Sequence, residues 1–276
     1  MIAPLTGFLL VMLALPFAVD CVYAVSRVTF ETLRAPRVIG LHNFAVVLHD
    51  PRFWGALWFS LRFAVLVTAA QLLIALALAI FLAPLLARHP WLLAPLMLPM
   101  MVAPALVGLM YRLVLHEFVG AVPYYWVLFT GDSPSFLGPS NVFRTLVTIE
   151  TLQWTPFALL ILYTAYQAIP TEVREAASLD GPGPWQTLRF IDLPLMAPSI
   201  LAAGFIRFID SFRVFDNVYT LTGSGAGGDT TTISIYIYEA FFRNNDIGVA
   251  VAASLLLLVL AFVMLTLLLR RAEPRG

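Results

Sequence analysis

Apolar residues in this chain come in long, nearly unbroken runs separated by short polar punctuation. That is the pattern of helices solvated by lipid rather than of amphipathic helices folded around one core. A helix needs roughly 20 mainly apolar residues to cross about 30 Å of hydrocarbon. Six stretches reach that length: residues 4–25, 56–86, 92–115, 143–169, 195–221 and 247–269. The second and sixth contain the charge-free runs Val65–Leu86 and Ile247–Leu269, whereas the fourth and fifth carry several polar groups. Arg88-His89-Pro90 is a very short turn between the second and third, while Ser26–Trp54, His116–Asn141 and Gly223–Asp246 are longer polar connections. Nothing repeats at a fixed period and no linker marks a second domain, so residues 1–276 read as one transmembrane domain. The first run, Pro4 to about Val25, has no basic leader and no clean small-x-small cleavage site, and it is expected to remain as a helix.

Composition strengthens the membrane reading. Charged residues make up 12% of the 276 and hydrophobic ones 61%, with a mean hydropathy of +0.89. A soluble domain is about a quarter charged because it must cover its surface with solvated groups. Net charge is zero and no basic run offers a nucleic-acid footprint, so the lipid bilayer is the expected surroundings and no nucleic acid is expected as a partner. All sixteen basic side chains are arginine. A phosphate-cradling Walker loop needs a lysine at the β/γ-phosphates, so any ATP-hydrolysing component belongs to another polypeptide and no cofactor is expected on this one. The lone Cys21 and the scattered His42, His49, His89 and His116 lack metal-ligand spacing, so neither a metal site nor a catalytic residue is expected. Arginine counts barely orient the chain. With both termini inside, Arg88, Arg174, Arg189, Arg270, Arg271 and Arg275 oppose Arg27, Arg34, Arg37, Arg52 and Arg243, with Arg144 near the boundary.

The most informative segment lies between the fourth and fifth runs, from Thr171 to Pro194. It reads as a short helix, a sharp turn and a second short helix. Thr171 can cap the first, with Glu172 and Glu175 near its positive end. Asp180-Gly181 can close it in a left-handed conformation, Pro182 and Pro184 stop it from continuing, and Pro184 suits the first turn of the next. Ala176 and Ala177 leave a small-residue face open to close approach by another protein.

Glu175-Ala176-Ala177, then Asp180-Gly181, then Ile191 and Leu193-Pro194 resemble, at matching offsets, the EAA loop of binding-protein-dependent ABC importer permeases. The departure is Pro182, where that family usually has alanine. Gly40–Phe44 with Asp50–Trp54, and Leu221–Gly223 through Thr230–Thr232 to Tyr236–Tyr238, are similar to the carbohydrate-type branch, that of the larger maltose-permease subunit and its relatives. The resemblance covers nearly the whole chain but lacks a large extracellular insertion in residues 117–141. It implies an all-α integral membrane protein with six transmembrane helices in the MetI-like fold of type I importer permeases. It also implies that residues 170–194 form a cytoplasmic loop docking an ATPase through Glu175, Ala176, Ala177, Asp180, Gly181, Leu193 and Pro194. The implied partners are an ATP-binding subunit dimer, a second permease subunit and an external solute-binding protein. The implied location is the inner membrane of a bacterial or archaeal cell, multi-pass, with both termini cytoplasmic.

Polar residues within the fourth and fifth runs are candidates for a solute path. Glu150, Gln153, Trp154 and Phe157 follow at i, i+3, i+4 and i+7 on one helical face, and Arg207, Asp210 and Ser211 at i, i+3 and i+4 on another. Such groups suit sugar hydroxyls, and the two rings suit the C–H side of a sugar. Equally, Glu150 and Arg207 can pair simply to hold helices together, and Asp210, Arg213 and Asp216 can form i,i+3 ion pairs. In the resembling subunit the positions matching Glu150, Gln153, Trp154, Phe157, Arg207 and Ser211 line the sugar path, although the residue identities differ and Arg207 replaces a small hydroxyl. The expectation is half of a solute pathway for a sugar or sugar-like solute. A polyol, phosphodiester or polyamine in the same architecture is the alternative. An ion-coupled transporter with Glu150 as proton site would have no use for an ATPase dock.

Overall fold

The computed structural model describes residues 3–132, 134–173, 175, 183–223 and 230–272. In chain order these form α1 (Ala3–Ala24), a two-stranded antiparallel ladder of β1 (Ser26–Arg27) and β2 (Arg37–Val38), α2 (His42–His49) and α3 (Pro51–Arg88). A 3-10 turn at Pro90–Leu92 leads into α4 (Leu93–Met101), α5 (Pro104–Val114), α6 (Ala121–Thr130) and α7 (Val142–Gln167). After the loop come α8 (Pro184–Thr187), a π-helical turn at Leu188–Asp192, α9 (Leu193–Phe212) and α10 (Asp216–Thr222). The chain continues with α11 (Ile233–Tyr238), a second π-helical turn at Glu239–Arg243, and α12 (Ile247–Ala272).

Among the described residues, four helical stretches are long and apolar enough to cross a bilayer: Thr6–Ala24, Pro51–Arg88, Val142–Gln167 and Trp185–Thr222. The third expected span, 92–115, is not one helix. It breaks between α4 and α5, which meet at 81°. The cause is local: Pro104 disfavours the helical conformation in the residue before it, and Ala103 is extended at φ −58°, ψ 134°. Pro104 then starts α5, where its missing N–H has no helical partner to lose. The expected last span corresponds to α12, whose described apolar stretch is Ile247–Val263. All three connections expected to be polar loops also hold helices: α2 in Ser26–Trp54, α6 in His116–Asn141 and α11 in Gly223–Asp246.

The chain divides into two compact units, Met1–Leu57 with Ile233–Gly276, and Trp58–Thr232. In the first, α12 packs on α1 and α2, and its small residues Ala250, Ala252 and Ala253 are buried. Asn43 ties α2 to the end of α1 by donating to the carbonyls of Ala24 and Ser26, both at 2.9 Å. Asp50 accepts the Arg52 N–H at 2.9 Å and so caps α3, and the Tyr236 hydroxyl donates to its other oxygen at 3.0 Å. Burial, reinforced by that carboxylate, pushes the Tyr236 phenol well above its ordinary range, so it stays a donor.

In the second unit α4 and α9 pack against α7. Ala75, Ala79 and Ala83 recur every fourth residue on α3 and are buried with Leu159, Leu162, Met196 and Ala203. Lipid tails are as apolar as leucine, so close packing of small surfaces, more than exclusion of water, holds such helices together.

Candidate functional site

Two interruptions of regular helix frame the site. One is the α4–α5 break; the other is the turn Arg213–Phe215 between α9 and α10. Each frees backbone groups that a continuous helix would pair internally. The carbonyl of Val102, released by the first break, accepts a hydrogen bond from Gln153 Nε2 at 3.1 Å. The other end of the same amide, Gln153 Oε1, accepts from Asn217 Nδ2 at 2.8 Å. Asn217 is one residue into α10, and the same nitrogen donates to Glu150 Oε2 at 2.6 Å.

Arg207 lies at the centre, with only 1% of its surface exposed. Its Nε donates to Gln71 Oε1 on α3 at 3.0 Å, and its Nη1 to Asp210 Oδ2 at 3.3 Å. Its Nη2 stands 3.7 Å from Glu150 Oε1. Gln71 completes a ring by donating to the Glu150 backbone carbonyl at 3.0 Å. The guanidinium carbon is 4.8 Å from the Trp154 ring centre and 5.8 Å from that of Phe157, both within cation–π range. Desolvating two opposite charges offsets much of their attraction, so the Glu150–Arg207 pair is held by its added hydrogen bonds rather than by Coulomb attraction alone. Asp210 also pairs with the exposed Arg213 at 3.1 Å.

Beside this network lies a cleft of about 290 Å³, lined among others by Pro104, Glu150, Trp154, Arg207, Asp210 and Asn217. Two buried polar atoms of these residues have no hydrogen-bond partner among the described residues: the donor Arg207 Nη2 and the acceptor Asn217 Oδ1. Unspent buried polar groups are uncommon and costly.

Of the seven path residues expected from sequence, Glu150, Gln153, Trp154, Arg207 and Asp210 meet in the network, and Phe157 joins through its ring. Ser211 is fully buried, and its hydroxyl has no hydrogen-bond partner among the described residues. It does not line the cleft. Sequence reasoning missed Gln71, Asn217 and the Val102 carbonyl. Gln71 did leave a signal, as a lone amide inside a charge-free apolar run one turn after Thr68. In the loop, Glu175 is helical and exposed, and Leu193 and Pro194 open α9 directly after the π-helical turn. Ala176, Ala177, Asp180 and Gly181 lie outside the described residues.

Residues 3–275 match the profile of the family described as binding-protein-dependent transport system inner membrane component. The chain is 32% identical over 273 residues to the trehalose/maltose transport system permease protein MalF of Thermococcus litoralis, covering 97% of this chain and 91% of that protein. It is 26% identical to the trehalose transport system permease protein SugA of Mycobacterium tuberculosis, covering 100% of this chain and 91% of that one. A chain in the crystal structure of a bacterial alginate ABC transporter, in complex with an alginate pentasaccharide-bound periplasmic protein, shares the fold with a TM-score of 0.78. The identity is 20%, over 97% of this chain and 90% of that one.

Proposed function

The chain belongs to the family of binding-protein-dependent transport system inner membrane components, and on that footing we propose that it forms half of the membrane pathway of an ATP-driven importer for a sugar or sugar-like solute. It is a multi-pass permease component of an ABC importer and not an enzyme. The two compact units act together as one permease domain, with both termini on the cytoplasmic side. Residues 170–194 dock a separate ATP-binding subunit dimer, a second permease subunit supplies the other half of the pathway, and an external binding protein delivers the solute. ATP-driven closure of the ATPase pair would move the loop and rock the helices between inward and outward access.

The observation that carries the sugar reading is a cleft in which the charged and amide side chains Glu150, Arg207, Asp210 and Asn217 stand beside the Trp154 ring. A sugar offers hydroxyls that both donate and accept, together with an apolar C–H face for the ring. A polyamine offers donors only and matches neither the arginine nor the aromatic face of that lining. The relatives named for trehalose, maltose and alginate transport agree with a saccharide. Within the site, Glu150, Gln153, Trp154, Phe157, Arg207, Asp210 and Ser211 are the proposed path residues, with Asn217 added.

The test is reconstitution of the complete importer in proteoliposomes with a panel of di- and oligosaccharides, polyols, phosphodiesters and polyamines. ATP-dependent uptake of a saccharide is expected. Uptake confined to a polyamine or phosphodiester would overturn the sugar assignment while leaving the permease assignment intact.

A further inference from the structure

We propose that α6 is an interfacial helix, resting in the headgroup layer of the bilayer and mooring the N-terminal end of α7 to lipid. The helix reads Ala-Val-Pro-Tyr-Tyr-Trp-Val-Leu-Phe-Thr and carries no charge. Every residue in it except Pro123 is exposed, and Phe129 reaches 86%. A helix that is apolar on all sides is at home in a core or in lipid, not in water. Ten residues are too few to cross the hydrocarbon, which leaves the interface.

The side chains fit that layer. Tyr124, Tyr125 and Trp126 sit consecutively, and rings with an apolar body and a polar edge concentrate where headgroups begin. The helix end brings few unpaired polar groups to an apolar layer. Gly131, at φ 74°, donates its N–H to the Val127 carbonyl at 2.8 Å, and the Thr130 hydroxyl donates to the Trp126 carbonyl at 2.7 Å. The exposed Glu117 and Asp132 bracket the helix and offer its ends a route to water.

Its depth is fixed by a second, independent set of contacts. The Trp126 ring meets Phe136 edge-on at 5.7 Å between centres. The Phe136 carbonyl accepts a hydrogen bond at 2.8 Å from Thr145, in the first turn of the spanning helix α7. These contacts hold α6 at the level where a membrane span begins. The apolar surface is also continuous along the chain, because Leu109 and Leu113 on α5 and then Phe118 and Val119 are exposed before α6 starts. With no charge on the helix, zwitterionic lipid suffices as the partner.

The experiment uses the assembled importer in phosphatidylcholine nanodiscs, with Cys21→Ser and one of Tyr125→Cys, Phe129→Cys or Asp132→Cys carrying a nitroxide. Retained ATP-driven uptake by each variant in vesicles establishes that it is folded. Collisions with oxygen should exceed those with a water-soluble nickel chelate at positions 125 and 129, by severalfold relative to position 132. Higher nickel access at 125 and 129 would place the helix in water. Low access to both reagents, with an immobilised spectrum, would mean that a protein partner covers it. Either result overturns the proposal.

Discussion

Asn217 Nδ2 stands 2.6 Å from Glu150 Oε2, so the short helix after the α9 break is fastened to the one buried carboxylate of α7. A neutral amide supplies the closest contact to that carboxylate, while the guanidinium of Arg207 stands farther off at 3.7 Å. Charge balance and hydrogen bonding are therefore divided between two residues from different helices, and substitutions should separate them.

Replacing Asn217 by alanine removes the donor and strands a buried acceptor, at a cost of about 1–3 kcal/mol. Asn217→Asp should be worse, since it sets a second carboxylate against Glu150. The melting temperature of the purified complex should fall in the order wild type, Asn217→Ala, Asn217→Asp. An aspartate variant as stable as wild type would mean that this contact does not bear on stability.

Arg207→Ala leaves Glu150 buried and uncompensated, a loss of about 3–5 kcal/mol when one partner of such a pair is removed. The double change Glu150→Gln with Arg207→Gln should restore assembly with the partner subunits. Uptake should nonetheless stay low or shift in solute preference, because both residues are proposed to line the path. Wild-type uptake and selectivity in the double variant, and in Trp154→Ala, would reduce the network to a structural role.

Gly108 on α5 packs directly on the Thr220 side chain of α10, leaving no room for a β-carbon. Gly108→Ala should force α5 and α10 apart and lower thermal stability, as overpacking by a methyl group typically does by about 1–3 kcal/mol. Adding Thr220→Ala, which removes the clashing hydroxyl, should recover part of the loss. Additive losses in a double-mutant cycle would contradict the contact.

Glu175→Lys reverses an exposed charge in the segment proposed to meet the ATPase. Less ATPase should co-purify with this variant, and transport should fall while the melting temperature of the chain itself changes little. Normal recovery of ATPase with normal uptake would remove Glu175 from the interface.

The sequence by itself determined the class of the protein and where its main helices run. Uninterrupted apolar runs such as Val65–Leu86 have one stable solution in lipid, a helix that satisfies its own backbone, and α3 and α7 appear close to where those runs place them. The spacing from Glu175 to Pro194 likewise pointed to the family, because a short motif is read by local offsets. Helical periodicity also grouped Glu150 with Gln153, and Arg207 with Asp210. Pro104 even announced the α4–α5 break, although the apolar run across it masked the signal. What only the tertiary structure decided was which polar faces meet and through which third residues. Gln71 lies 136 positions from Arg207, and Asn217 lies 67 from Glu150. No local pattern ties such residues together, because their partners are fixed by how helices cross. The α9–α10 break belongs to the same class. It has neither proline nor glycine at Arg213–Phe215, and on its far side Asn217 comes to rest on Glu150 and Gln153.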